Sequence, residues 1–149
     1  MKSNKKILVF IGTRPEAIKM FPLIDLLSRH YNLILCLTGQ HKELLDQVVK
    51  LFNLKVKYDL KIMRANQTLS NISQTILKKI DHVIIREMPD LVLIHGDTTT
   101  AFISALSSFY NKIKIGHVES GLRTNKIYSP FPEEANRQFI ARIADLNFS

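Results

Sequence analysis

The sequence predicts an α/β fold, a doubly wound parallel sheet of Rossmann type. Two observations carry this. Residues 7–11, 33–37 and 91–94 are short, continuous apolar runs, the pattern of strands buried on both faces, and 113–118 reads as a further strand. Between them lie longer stretches whose apolar residues recur at helical spacing. Strands alternating with amphipathic helices make right-handed crossovers and a parallel sheet.

The elements follow in order. The run 7–11 ends at Gly12, and Pro15 suits the first turn of a helix. Ala17, Met20, Phe21, Ile24 and Leu27 continue that helix, with Pro22 inside it expected to kink or restart it. Residues 33–37 form the second strand, stopped by Gly39, and Leu44, Leu45, Val48, Leu51 and Phe52 mark the next helix. Residues 58–62 are weakly marked as extended. A long helix carries Leu69, Ile72, Ile76, Ile80 and Val83 on one face and ends at Pro89. The strand 91–94, a helix over 98–110 and the strand 113–118 come next. A loop rich in Gly, Ser, Asn and Pro spans 120–132, a helix spans 133–144, and 146–148 begins another strand.

Size and composition narrow the function. The 149 residues fit one domain, 1–149, with no repeat, low-complexity tract or internal linker. The net charge of +8 favours an anionic partner, but the basic residues are scattered, with short clusters only at 2–6 and 55–61. Without a long basic run or interleaved aromatics, nucleic acid is not expected. No stretch reaches the ~18 apolar residues of a membrane helix. The apolar run after Lys5-Lys6 is too short for a signal peptide, so a cytoplasmic protein is expected. Cys36 is the only cysteine and reads as a buried strand residue.

Ligands of open α/β sheets bind beyond the carboxyl ends of the strands. Gly12-Thr13-Arg14, Thr38-Gly39-Gln40-His41, His95-Gly96-Asp97-Thr98 and Glu119-Ser120-Gly121-Leu122-Arg123 all fall there. The Gly12-Thr13-Arg14-Pro15 turn leads into a helix N-terminus, whose free N–H groups would suit a phosphate. Arg14 adds a bidentate donor, and Lys19 lies within reach of the same anion; alone, Arg14 fits equally well as a surface residue on a capped turn. Asp97 fits either a functional carboxylate or an N-cap. Glu119 ends a buried strand, where charge is seldom casual. Glu133 and Glu134 open a helix, where acids also simply complement the dipole. Asp97, Glu119 and Glu133 would form a carboxylate cluster facing Arg14 and Lys19. His95 and His117 sit at strand ends and not at a metal-ligand spacing, so no metal site is expected.

These residues resemble a family. Gly12-Thr13-Arg14-Pro15-Glu16-Ala17-Ile18-Lys19-Met20 is similar to the opening signature of bacterial UDP-N-acetylglucosamine 2-epimerases of the non-hydrolysing branch. Gln40-His41, Tyr58-Asp59-Leu60, His95-Gly96-Asp97-Thr98-Thr99-Thr100, Gly116-His117-Val118-Glu119, Gly121-Leu122-Arg123-Thr124 and the stretch from Tyr128 to Arg137 continue it in order. The resemblance implies one half of a GT-B architecture, in which two Rossmann-like domains enclose the active site. It implies conversion of UDP-GlcNAc to UDP-ManNAc by loss and re-addition of UDP, by a cytoplasmic homodimer without cofactor or metal, for bacterial surface polysaccharides. Asp97, Glu119 and Glu133 match the family's essential carboxylates, and Arg14 and Lys19 its substrate-binding residues, with Asp97 and Glu119 also contacting substrate. Gln40 and His41 are expected as an allosteric or supporting pair. Ser120 departs mildly, since many relatives carry a small apolar residue there.

The resemblance implies that residues 1–149 correspond to the family's N-terminal domain, without its C-terminal nucleotide-binding domain, and they are expected to be inactive alone. The nearest rival is the hydrolysing epimerase, which releases ManNAc and UDP; Pro15-Glu16-Ala17-Ile18-Lys19 resembles the non-hydrolysing branch more closely. A non-catalytic fragment or binding module is a rival of another class, and a glycosyltransferase of the same architecture would not be expected to carry these motifs in this order.

Overall fold

The computed structural model describes residues 1–39, 42–62 and 66–149. In chain order the elements are β1 (Lys6–Ile11), α1 (Arg14–His30), β2 (Asn32–Leu37), α2 (Lys42–Leu51), β3 (Val56–Asp59), α3 (Leu69–Glu87), β4 (Leu91–His95), α4 (Thr99–Tyr110), β5 (Lys114–Val118), α5 (Glu133–Ile143) and β6 (Leu146–Phe148). They build a six-stranded sheet in the order β3-β2-β1-β4-β5-β6. Every adjacent pair is parallel. The chain winds outward from β1 to β3, returns to β4 and winds outward the other way. The strand order therefore reverses between β1 and β4, and a crevice opens where their following loops diverge.

Alternation along the strands splits the core in two. Ile7, Val9 and Ile11 of β1, with Leu35, Leu37 and Leu93, pack beneath Ala17, Met20 and Ile24 of α1 and Leu45 and Val48 of α2. Leu8 and Phe10, with Ile34, Cys36, Val92, Ile94 and Ile115, face Ile76, Ile80 and Ile84 of α3, Ala101 and Ala105 of α4, and Ile140 of α5. The central part of a sheet covered on both faces favours apolar side chains at successive strand positions, which is why β1, β2 and β4 read as apolar runs.

Two expectations need correction. The first helix does not restart at Pro22; α1 runs 17 residues through it. Pro22 is exposed, as is Ile18 one turn earlier. The Ile18 carbonyl that a proline leaves unbonded thus lies on the solvent side, where water replaces the missing N–H. The weak extended segment is β3, which begins at Val56 and ends at Asp59. It is an edge strand. Lys57, and Lys55 just before the strand, point outward, charge the edge and guard it against pairing with another chain. At the far end of α3, Met88 takes the left-handed conformation and donates its N–H to the Ile84 carbonyl at 2.8 Å, closing the helix just before Pro89.

Candidate active site

Because the sheet is parallel, the loops after β1, β4 and β5 meet at one edge. The β4 and β5 loops are tied together by buried polar contacts. Gly96 donates its N–H to the Val118 carbonyl at 3.0 Å, and its own carbonyl lies 2.7 Å from Nε2 of the fully buried His117. Burial holds the His117 pKa below its ordinary value. Glu119 follows with φ of +60°, in the left-handed region that costs a non-glycine residue energy. That backbone is held by Arg137 of α5, whose Nη1 donates to the Glu119 carbonyl.

The carboxylates are each met by a specific partner. Glu119 receives Nζ of Lys19 at 3.1 Å on both oxygens, and Nε2 of His95 lies 2.6 Å from its Oε2. Burial would raise the Glu119 pKa, but the Lys19 hydrogen bonds and the neighbouring His95 outweigh it and hold the carboxyl below its ordinary value. Asp97 pairs through Oδ2 with Nη2 of the same Arg137, and its carbonyl accepts from Asn136 at 2.9 Å. The Arg137 guanidinium, only 5% exposed, therefore clamps the ends of β4 and β5 in one geometry. Glu134, next to Glu133, fixes the preceding loop. It accepts from the Thr124 N–H and from Gln138, each at 2.9 Å, with its pKa lowered chiefly by that Thr124 bond.

Of the expected residues, Asp97, Glu119 and Lys19 are thus brought to one place. Glu133 is half-buried on α5, one turn before Arg137, and makes no ion pair among the described residues. Arg14 is exposed in the first turn of α1 and likewise makes no ion pair among the described residues. Lys19 does not stand beside Arg14 as a second free cation; it is engaged with Glu119. Gln40 and His41 lie outside the described residues.

Two local readings are corrected. Asp97 is not the N-cap of α4; Thr98 is, accepting from the Ala101 N–H at 3.1 Å. The threonine one residue later supplies the cap and leaves the Asp97 carboxylate free to meet Arg137. The β1–α1 turn also does not offer all its N–H groups to an anion. Glu16 closes a capping box, with Oε2 accepting from Gly12 at 2.7 Å and Thr13 at 3.4 Å. Glu16 is buried, and burial raises its pKa. The anion-binding capacity of this turn therefore rests on the Arg14 side chain more than on the backbone.

Two residues of this arrangement do not stand out in the sequence as parts of a site. Arg137 belongs to a helix face with Glu133 and Ile140, so a charged residue on a core-facing stripe is its one local signal. His95 lies in a strand-end cluster and reads either as a satisfied core histidine or as one supporting the site, and only the fold reveals that it faces Glu119. Among the described residues no group of three or more His, Cys, Asp or Glu is arranged to hold a metal ion, and no helix is long and apolar enough to cross a membrane.

A sequence profile of UDP-N-acetylglucosamine 2-epimerase matches residues 26–149. The UDP-N-acetylglucosamine 2-epimerase of Campylobacter jejuni is 51% identical over 97% of this chain and 38% of its own length. That of Bacillus subtilis is 49% identical over 100% of this chain and 40% of its own length. In three dimensions, UDP-GlcNAc 2-epimerase from Neisseria meningitidis, solved bound to UDP-GlcNAc, matches with a TM-score of 0.92 and 49% identity. That match covers 97% of this chain and 39% of the other. The chain thus spans about two-fifths of the length of the relatives it matches. A profile covering most of the chain, and relatives this similar along all of it, place the chain in the UDP-N-acetylglucosamine 2-epimerase family.

Proposed function

We propose that this chain forms the carboxylate-bearing wall of a non-hydrolysing UDP-N-acetylglucosamine 2-epimerase, which interconverts UDP-GlcNAc and UDP-ManNAc. The observation that carries this reading is the pairing of Asp97 and Glu119 by one buried arginine at the crevice of the sheet, with Lys19 and His95 on Glu119. Inverting C2 means removing a poorly acidic proton. In the proposed course a carboxylate takes the C2 proton. The C–H electron pair becomes a C1=C2 double bond, and the C1–O pair departs with UDP. UDP then adds back to C1 while a proton reaches C2 from the opposite face. Asp97, Glu119 and Glu133 are the groups proposed to carry these protons and contact the sugar.

Arg14, exposed and without an ion-pair partner among the described residues, is proposed to meet a phosphate, and Lys19, held at Glu119, to bind substrate beside it. The second wall of the cleft is proposed to come from the part of the relatives that this chain does not span. Leu122, Tyr128 and Phe131, in the loop between β5 and α5 and exposed by 57%, 80% and 59%, are apolar surface suited to being covered. With that wall in place water leaves the site, and the charges there act at greater strength. The resemblance carries the remaining proposals: a cytoplasmic homodimer in bacterial surface-polysaccharide synthesis, working without a cofactor.

The test is product analysis by proton NMR. This chain, joined to the remaining part of the Campylobacter jejuni relative, should convert UDP-GlcNAc to UDP-ManNAc, and residues 1–149 alone should not. Free ManNAc and UDP as the products would assign the hydrolysing reaction instead, and turnover by residues 1–149 alone would remove the need for a second wall.

A further inference from the structure

We propose that His95 is a positioning residue for Glu119: a neutral imidazole that donates from Nε2 to Glu119 Oε2 and, with Lys19, keeps that carboxylate ionised. The inference rests on the proposed function only for what Glu119 then does.

The geometry comes first. His95 ends β4, is 7% exposed, and places Nε2 2.6 Å from Glu119 Oε2. Its Nδ1 is buried with no hydrogen-bond partner among the described residues. An imidazolium would carry a proton on that nitrogen and leave a buried charged N–H unpaired, at a high desolvation cost. A neutral imidazole with its proton on Nδ1 would leave a buried donor unsatisfied and set a bare Nε2 against a carboxylate. Only the Nε2–H tautomer matches both ends of the ring.

The surroundings agree. The charged groups facing His95 are Glu119 beyond β5, Lys19 of α1, Arg137 of α5 and Asp97 beyond β4. They already balance, two cations against two anions, so a further positive charge has no counterpart. Burial lowers the His95 pKa and outweighs the pull of Glu119. Glu119 thus accepts from a fixed imidazole donor on one oxygen and from Lys19 on both. Taking a proton on Oε2 would set two donors against each other, so the carboxylate enters the reaction ionised.

The test needs no turnover. In this chain, with 15N-labelled histidine and 13C-labelled glutamate, His95 should show the neutral Nε2–H pattern at pH 7. In His95→Phe the Glu119 carboxyl midpoint should rise by about one pH unit or more, since a donor to the charged form is lost. In His95→Gln, whose amide can donate from a similar position, it should return most of the way. An unmoved midpoint in a folded His95→Phe variant overturns the proposal, as does an imidazolium or an Nδ1–H pattern at pH 7 in the wild type. Should the Phe variant fail to fold, the wild-type tautomer and the Gln variant decide alone. A wild-type protein that shows the expected tautomer and titration but no epimerisation in the joined form would sink the function and leave this pairing standing.

Discussion

Asp97→Asn and Glu119→Gln, made in the joined two-walled protein, should each lower kcat by about two decades or more. Both changes are isosteric; they remove the charge and basicity of the carboxylate and turn one acceptor oxygen into an amide donor. The amide that replaces each carboxylate keeps one oxygen. At position 97 it can still accept from Arg137, and at position 119 from Lys19, so the loss should fall on kcat more than on folding. Glu133→Gln is the sharpest of the three. Glu133 makes no ion pair among the described residues, so the substitution leaves those pairs intact and the stability read by urea unfolding should stay within about 0.5 kcal/mol of wild type. A fall in kcat at unchanged stability would place Glu133 in the chemistry. Near-normal rates in all three variants would leave Asp97 and Glu119 as structural ion-pair partners and take Glu133 out of the chemistry.

Arg137→Leu should cost both stability and activity. The guanidinium is almost fully buried and joins the Glu119 carbonyl to the Asp97 carboxylate. Removing it strands a carboxylate and the left-handed backbone at Glu119. Breaking a fully buried pair costs about 3–5 kcal/mol, and since the Asp97 side chain is 30% exposed, about 2–3 kcal/mol is expected here. Arg137→Lys separates the two roles. Its ammonium can neutralise Asp97 but is a point charge in place of a fork, so it cannot hold both loop ends in register. Stability should recover by half or more while kcat stays at least tenfold down. Full recovery of kcat in Arg137→Lys would reduce Arg137 to a counter-charge.

These residues mark where sequence reasoning stops. The strands β1, β2 and β4 are legible because burial on both faces forces a nearly unbroken apolar run; β5, with Gly116 and His117 inside it, is marked more weakly, and the parallel order of the four brings Gly12, Asp97 and Glu119 to one edge. β3, an edge strand with Lys57 outward and Lys55 just before it, lacks such a run, and its bounds are harder to read. Pro22 reads as a break because sequence does not say which side of a helix faces water. Asp97 and Thr98 are both good caps and adjacent, so which one caps α4 is settled by the reach of Arg137 from α5. The site's pairings join residues distant in sequence. Lys19 meets Glu119 across 100 positions and Arg137 meets Asp97 across 40. They exist only once the strand order is known. Glu16 shows the reverse. Its capping box is local and legible, a glutamate three residues after Thr13, and it is this cap that closes a turn which otherwise reads as an open anion nest.

The central claim is that the carboxylates gathered at this edge exchange the proton at C2 of a nucleotide sugar. Its most direct test is to run the joined protein on UDP-GlcNAc in heavy water and read the C2 position of the UDP-ManNAc formed by NMR and mass spectrometry. Because the proton that reaches C2 from the opposite face comes from a group that has exchanged with solvent, the product should carry one deuterium at C2, and that is the predicted result. UDP-ManNAc formed with protium retained at C2 would contradict it.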